Sequence, residues 1–293
     1  MYIVRSQGRY GNQFFQEIFC RYAELVLKQK VRYDAGRLKW HFPNGYESGV
    51  HLKLNTKKAS VLDKFFTLVI NGVELPPRLT KKDEWIQQYE RLKAENKVRI
   101  LYDDSLFLTA ENFREHVPCD NVVIDGYFFD HRYFYAVREL IKDELVFREP
   151  LDQRNAELAE EMEGCESVSV HIRQGDYLNI PALNICGHGY YRDAIAYMQD
   201  RLKDPVFYVF SEGPVESYMP EGCRYVYVSH NTGNESHKDV QLMTHVRHMI
   251  IANSTFSYMA ALLNKNEDKT VVIPRMYSRD KEFTMAPYDW IRV

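Results

Sequence analysis

The sequence predicts an α/β protein with parallel sheets in two domains. Short apolar, β-prone runs alternate with segments of helical periodicity along most of the 293-residue chain, and strands that alternate with helices are typical of parallel sheets. A polar stretch between residues 149 and 165, opened by Glu149 and Pro150, separates two such series. We therefore predict domains over residues 1–150 and 151–293, each long enough to bury a core.

The first domain opens as strand, tight loop and helix. Met1–Arg5 is β-prone, and apolar residues recur at helical spacing from Phe14 to Val26. Residues 36–120 are less regular and predict only short helices. The predicted strands are 1–5, 31–34 and 122–127, and the predicted helices are 14–26, 60–69, 83–95, 110–115 and 131–147.

The second domain has a more regular alternation. Its most distinctive strand is the apolar run Ser167–Ile172, which leads into charged residues. The predicted strands are 167–172, 206–210, 224–228, 249–252 and 270–274, and the predicted helices are 151–162, 190–202, 238–248 and 255–263.

Composition and charge narrow the class of protein. The chain has 38 basic and 41 acidic residues, so it has no basic surplus for non-specific binding to nucleic acid. Five cysteines without a C-x-x-C pair indicate reduced thiols. The N-terminus shows no secretion signal, and no run approaches the roughly 18 apolar residues of a membrane span. These features predict a cytoplasmic protein, and they are compatible with work at the inner face of the membrane.

The loop Gly8–Gln13, GRYGNQ, joins the first strand to the first helix. Gly11 permits a close approach of ligand to backbone, while Asn12 and Gln13 offer amide donors where a helix N-terminus favours anions. A tight turn with a capping asparagine explains the same residues. The loop lacks the third glycine of a dinucleotide fingerprint and the lysine of a P-loop.

The end of the strand Ser167–Ile172 carries the strongest signal. His171, Arg173 and Asp176 fall within six residues, at the carboxyl end of a strand where α/β proteins bind ligands. The guanidinium of Arg173 matches phosphate oxygens. Asp176 is either a general base or the group that orients Arg173, and a simple ion pair between the two is the structural alternative.

A third polar cluster is ANSTFSY, residues 252–258. Asn253, Ser254 and Thr255 are good N-cap residues, and the same groups could hold a phosphate. No two aspartates lie two apart, so an Asp-x-Asp metal pair is missing. His245 and His248 share a predicted helix face and could bind zinc together with His237, although a lone pair of helical histidines more often lies on the surface or in the core.

Together these clusters resemble the α-1,2-fucosyltransferases of glycosyltransferase family 11. The similar segments are GRYGNQFFQ (8–16), NGYE (44–47), DGYFFDHRYF (125–134), HIRQGDY (171–177) and HMIIANSTFSY (248–258). The chain departs from the family twice: Gln174 replaces a second arginine, and Ser211, Glu212 and Gly213 replace a Ser-Asp-Asp run. The second departure puts the nucleotide base contacts in question.

The resemblance implies a GT-B fold, in which two Rossmann-like domains face each other across a cleft, with residues 1–150 on the acceptor side and 151–293 binding the GDP-sugar. A last helix that packs back on the N-terminal domain is compatible with it. It implies inverting transfer of L-fucose from GDP-fucose to the 2-hydroxyl of a galactoside. The acceptor is then an oligosaccharide or lipid-linked precursor, as in O-antigen synthesis, and no metal or other cofactor is needed. Peripheral membrane association fits such an acceptor.

The resemblance also implies roles for residues. Arg173, Asp176 and His171 are the catalytic candidates, with Glu47 or Asp125 as alternative bases. The expected donor-binding residues are Arg9, Gly11, Asn12, Gln13, His171, Arg173, Ser211, Asn253, Ser254, Thr255 and Phe256. The expected acceptor-binding residues are Tyr46, Glu47, Asp125 and Tyr127. Transfer with another linkage or another GDP-sugar, and an inactive sugar-nucleotide-binding protein, are the alternative functions.

Overall fold

A computed structural model gives the structure of the chain. It describes residues 1–35, 51–59, 90–91, 94–95, 98–101, 106–118 and 122–293. Two compact units, Met1–Val146 and Phe147–Val293, divide the chain, whereas the sequence places this boundary after residue 150. Each unit contains a parallel sheet, which confirms the predicted α/β class. The predicted helices 60–69 and 83–95, and the acceptor candidates Tyr46 and Glu47, lie wholly or mostly outside the described residues.

The N-terminal unit contains a four-stranded sheet in the order β2-β1-β4-β3. All of its strand pairs are parallel. Among the described residues, the strands are β1 (Tyr2–Arg5), β2 (Val31–Asp34), β3 (Val98–Leu101) and β4 (Val122–Gly126), and the helices include α1 (Tyr10–Leu25), α2 (Phe113–His116) and α3 (His131–Val137).

Helix α1 is buried on more than one face. Its apolar side chains form the predicted core stripe, and Phe19 stacks on Phe128 with ring centroids 3.8 Å apart. Polar side chains are buried as well. The Gln16 amide receives the Gln7 N–H at 3.1 Å and donates to the Gly126 carbonyl at 3.2 Å. Gln16 therefore ties the ends of β1 and β4 to the helix that follows β1.

Two elements of this unit differ from the prediction. Strand β3 lies in the region where we expected only short helices, because its four residues are too few for a clear period. Helix α3 ends at Val137, although we predicted it to continue to Phe147. Beyond Val137 the chain makes separate turns and then runs beside Lys53, whose N–H donates to the Val146 carbonyl at 2.9 Å.

The C-terminal unit contains a six-stranded sheet in the order β12-β9-β8-β5-β6-β7, with every pair parallel. An antiparallel hairpin, β10-β11, is formed by residues between β9 and β12. The strands are β5 (Ser167–Ile172), β6 (Val206–Ser211), β7 (Tyr225–Val228), β8 (His248–Ile250), β9 (Val271–Ile273), β10 (Met276–Ser278), β11 (Lys281–Glu282) and β12 (Ile291–Arg292), and the helices are α4 (Gln153–Glu163), α5 (His188–Gln199), α6 (His237–Met243) and α7 (Thr255–Leu263).

The core of this unit surrounds β5, all six residues of which are buried. Helices α6 and α7 pack against each other within the unit. The chain ends in strand β12, which pairs with β9 and was absent from the prediction. Because the strands are parallel, their carboxyl ends lie at one edge of the sheet. Ile172 of β5 is in register with Ser211 of β6, so the loops that follow these two strands start side by side.

Candidate active site

Arg173 lies at the carboxyl end of β5 and is held by two carboxylates. Its Nη2 donates to Asp176 Oδ1 in a close ion pair, and its Nη1 lies 2.6 Å from Glu212 Oε1. The guanidinium also packs over the Tyr177 ring, 4.9 Å from the ring centroid. Its side chain is only 11% exposed, whereas the two carboxylates are 41% and 48% exposed. The ion pair with Asp176 that the sequence left as an alternative is therefore present.

Glu212 is the partner of Arg173 that sequence reasoning missed. We noted Glu212 only as a departure from the family, although it follows β6 directly. The signal that could have found it is strand order. In a parallel sheet with β6 beside β5, the residues after Ile172 and Ser211 are neighbours at the same edge.

His171 is buried inside the unit next to Arg173. Its Nδ1 lies 2.8 Å from Ser257 Oγ, and its ring is 5.4 Å from that of Phe256. Burial, with a smaller contribution from the charge of Arg173, lowers the pKa of His171 to about 3. The imidazole is therefore neutral near pH 7. The neutral ring hydrogen-bonds to Ser257 of α7 and adds no second positive charge beside Arg173.

The polar cluster after β8 divides into a cap and an anchor. Ser254 is the N-cap of α7, and its hydroxyl accepts the Phe256 N–H at 3.4 Å. Thr255 begins the helix and is buried. The capping interpretation of Ser254 is thus confirmed. The cap is compatible with anion binding, because the positive end of the helix dipole lies at this N-terminus.

Asn253 anchors this segment from within. It is 1% exposed, and its Nδ2 donates to the Leu183 carbonyl at 2.9 Å and to the Tyr277 carbonyl at 2.8 Å. Its Oδ1 receives the Cys186 thiol at 3.3 Å. Both amide hydrogens and the oxygen are engaged, so the side chain that we expected to contact the donor joins three chain segments.

Ser211 ends strand β6, and Gln174 follows Arg173 directly. The Ser211 hydroxyl accepts the Gly213 N–H at 3.3 Å. The Gln174 Nε2 donates to the Pro214 carbonyl at 2.8 Å. Gln174 is buried and points into the protein, so it does not extend the cationic surface formed by Arg173.

The glycine-rich loop of the N-terminal unit forms a tight turn into α1. Gly8 has a φ of +73°, a left-handed conformation that favours glycine. Helix α1 begins at Tyr10 after Arg9, so Asn12 lies in the first turn and is not the cap. Gln13 is buried and donates to the Gly8 carbonyl at 3.3 Å. Arg9 and Asn12 are half-buried, whereas Gly11 is buried.

Three charged residues are buried at the carboxyl ends of strands in the same unit. Arg5, Asp34 and Asp125 end or nearly end β1, β2 and β4, and Asp125 is 0% exposed. We did not single out Arg5 and Asp34 from sequence. Tyr127 is half-buried and stacks on Phe129 with centroids 4.9 Å apart. The burial of Asp125 disfavours it as a base that meets an acceptor from solvent.

The histidines considered as zinc ligands do not share a helix face. Helix α6 ends at Met243, where Thr244 turns its hydroxyl onto the Gln241 carbonyl at 2.6 Å. His245 then pairs with Glu163 at 2.7 Å, while His248 lies in β8 and pairs with Glu166 at 2.9 Å. Within the described ranges, no group of three or more histidine, cysteine or acidic side chains is arranged around a metal position. None of the helices described is long and apolar enough to cross a membrane.

The group at this edge of the sheet that could bind an anion is the guanidinium of Arg173. Arg173 presents a permanent positive charge that is fixed by two carboxylates and a ring. Tyr177 links it to the segment before α7, since its hydroxyl donates to the Asn253 carbonyl at 3.4 Å. A cation beside a helix N-terminus can bind phosphate oxygens and stabilise negative charge that develops during a reaction.

Comparisons with known proteins find relatives of this chain. An α-1,2-colitosyltransferase of Escherichia coli is 28% identical over 99% of this chain and 98% of its own length. The Escherichia coli O-antigen biosynthesis glycosyltransferase WbnK is 36% identical, with 45% of this chain and 46% of that protein aligned. The rat galactoside α-(1,2)-fucosyltransferase 1 is 26% identical, over 57% of this chain and 48% of that protein.

By their names, these relatives are enzymes that transfer sugars. A profile of one protein family covers nearly the whole sequence. The profile described as Glycosyl transferase family 11 matches residues 1–292. It therefore includes the GRYGNQ loop, the strand β5 with Arg173 and the cluster before α7. The chain belongs to glycosyltransferase family 11.

Proposed function

We propose that this glycosyltransferase moves L-fucose from GDP-fucose to the 2-hydroxyl of a galactoside, with inversion at the anomeric carbon. The observation that carries the proposal is the fixed guanidinium of Arg173 at the carboxyl edge of the C-terminal sheet. Family membership supplies the reaction class. A galactose-containing oligosaccharide or lipid-linked precursor is the proposed acceptor, and association with the membrane surface would follow from the latter.

The proposed mechanism uses Arg173 as an electrostatic catalyst. As the bond to the fucosyl carbon breaks, negative charge accumulates on the β-phosphate of the leaving GDP. Arg173 and the first turn of α7 stabilise that charge, and a metal ion is then unnecessary. The acceptor hydroxyl attacks the opposite face of an oxocarbenium-like centre, as in the related chemistry of glycosidases. Its proton passes to a carboxylate base, and Glu47 is our proposal for that base.

In this mechanism the neighbours of Arg173 have supporting roles. Asp176 orients the guanidinium, in agreement with the ion pair between them. His171 stays neutral and supports α7 through Ser257. Contacts of Arg9, Gly11, Asn12 and Gln13 with the donor, and of Tyr46, Glu47 and Tyr127 with the acceptor, remain predictions.

A second candidate reaction is α-1,2 transfer of colitose. It is favoured by the colitosyltransferase relative, which aligns with this chain over almost the full length of both proteins. The two candidates share the linkage and differ in the sugar. Arg173 does not distinguish them, because a guanidinium at the phosphates does not read the sugar.

A donor panel against a panel of glycan acceptors tests these proposals. The donors are GDP-fucose, GDP-colitose, GDP-mannose and UDP-galactose, and the linkage of each product is determined by NMR. We expect an α-1,2-linked product on a galactoside with GDP-fucose. A strong preference for GDP-colitose would replace fucose by colitose. Binding of GDP without transfer or slow hydrolysis would favour an inactive binding protein. Activity in excess EDTA should match the untreated enzyme, and a loss restored by Mn²⁺ would contradict metal independence.

The substitution Arg173→Ala tests the mechanism. Removing one preorganised donor to a developing oxyanion typically costs about 10²–10³ in rate, so we expect kcat/KM to fall by at least that factor. Thermal stability should change little, because both carboxylate partners are more than a third exposed. Arg192→Ala is the matched control, since its pair with Asp193 is 2.9 Å long and exposed on α5. Turnover of Arg173→Ala close to that of the control would overturn the mechanism.

A further inference from the structure

The loops that follow β5 and β6 interlock beside Arg173. We name residues 173–176 the β5 loop and residues 212–214 the β6 loop. Gln174 of the β5 loop donates its amide to the Pro214 carbonyl at 2.8 Å. Its Oε1 lies over Gly213, so that a Cβ added to Gly213 would overlap it. Gly213 therefore provides the space that the Gln174 side chain fills.

The same relation holds in the opposite direction. Gly175 of the β5 loop has a φ of +53°, which favours glycine. A Cβ added there would overlap Glu212 Oε2 of the β6 loop, and the other carboxylate oxygen of Glu212 lies 2.6 Å from Arg173 Nη1. Each loop thus has a glycine that accommodates a side chain from the other loop.

This arrangement fixes the position of Glu212 and, through it, that of Arg173. Asp176 reaches the guanidinium from its own loop, and Glu212 reaches it from the neighbouring strand end. The β6 loop is itself held by Tyr227, whose hydroxyl donates to the Gly213 carbonyl at 2.9 Å. A planar guanidinium that is held at two nitrogens loses most of its rotational freedom before any ligand arrives.

We propose that Glu212 is a positioning residue for Arg173 and that the Gln174–Gly213 contact sets the place of Glu212. The proposal deepens the proposed function, because the anion it concerns is the diphosphate of the donor. Glu212 acts through its reach and not through its charge. Glu212→Gln should retain GDP affinity within about threefold, since a glutamine oxygen also accepts from Arg173 Nη1. Glu212→Asp is too short to reach and should weaken GDP binding about tenfold.

A double-mutant cycle on Gln174 and Gly213 tests the interlock. Gly213→Ala forces the Gln174 amide aside and should raise the GDP dissociation constant about tenfold. In a Gln174→Ala background the space is free, so the same change should cost less than about twofold. Gly189→Ala is the matched control, because nothing lies within 4 Å of a Cβ at that glycine. Equal effects of Gly213→Ala in both backgrounds would overturn the interlock.

A second measurement does not depend on GDP. The Arg173 side-chain ¹⁵N–¹H signals, assigned by their loss in Arg173→Lys, report whether the guanidinium rotates. We expect slow rotation in the wild type and in Glu212→Gln, and averaged signals in Glu212→Asp and Gly213→Ala. If the wild type bound no GDP, the proposed function would fail. These spectra would still test whether Glu212 positions Arg173. Unchanged Arg173 signals in Glu212→Asp would overturn the positioning role, as would tighter GDP binding in Glu212→Gln, which indicates repulsion by the charge.

Discussion

Asn253 provides a direct test of whether the segment before α7 is anchored from within. Asn253→Ala removes two hydrogen bonds to backbone carbonyls and one from a thiol, and it leaves the partly buried Leu183 and Tyr277 carbonyls without this donor. A buried polar group deprived of its partner costs about 1–3 kcal/mol. Two carbonyls, with some relief from water or local rearrangement, give an expected loss of about 2–4 kcal/mol in the free energy of unfolding.

This loss is large enough to measure by urea denaturation and thermal unfolding. The C-terminal unit spans Phe147–Val293, and for a domain of about 150 residues each kcal/mol lowers Tm by roughly 2–4 °C. We therefore expect a fall in Tm of roughly 10 °C. Asn234→Ala, at an exposed position, is the control and should remain within about 0.5 kcal/mol of wild type.

The outcome separates an anchor from a ligand contact. If Asn253 is an anchor, the Asn253→Ala variant loses stability, and its activity falls only as far as the α7 N-terminus moves. If Asn253→Ala retained wild-type stability but lost donor binding, the side chain would contact the donor and the anchoring argument would be refuted. Asn253→Asp sharpens the comparison, because an ionised carboxylate cannot donate to either carbonyl and should destabilise the unit at least as much.

Two pH-dependent predictions concern buried titratable groups. Burial keeps His171 neutral in the native state with a pKa of about 3, while the unfolded chain binds a proton below about pH 6.5, so acid favours unfolding. Between roughly pH 7 and pH 4.5, wild type should lose about 3 kcal/mol more stability than His171→Gln, and parallel urea-denaturation profiles would contradict this. Asp239 behaves in the opposite sense, because burial raises its pKa to about 7 against the weaker lowering effect of the Asn231 hydrogen bond. The native state then keeps a proton that the unfolded chain releases above about pH 4, so stability is lost as pH rises to 7. Asp239→Asn should gain up to roughly 3 kcal/mol relative to wild type between pH 4 and pH 8, and an equal difference at both pH values would refute the assignment.

Most of the C-terminal sheet could be predicted from the sequence, because its strands are short apolar runs with clear boundaries. The predicted bounds of β5 and α7 agree with the structure, and those of β6 differ by one residue. Strand β12 escaped prediction because its two residues carry no period and pair only through β9. The predicted end of α6 at residue 248 was wrong. A side-chain hydrogen bond of Thr244 and the pairing of His248 in β8 override the helical spacing of the sequence.

The candidate site was predictable only in part. The run HIRQGDY identified Arg173 and Asp176, because polar residues that follow an apolar strand can be recognised from the sequence alone. Glu212 became visible only through the register between Ile172 and Ser211, which joins segments far apart in sequence. The internal role of Asn253 was equally hidden, because its partners lie in another loop and in strand β10.

The two glycines beside Arg173 also limit the order in which the sequence can change. A side chain at position 213 displaces the Gln174 amide, so it is better tolerated once position 174 has changed. Position 175 has a further limit, because any residue other than glycine meets both an unfavourable φ and the carboxylate of Glu212. Substitutions that are harmless in one relative can therefore be harmful in another. For enzyme engineering, these loops are best exchanged between relatives as a pair.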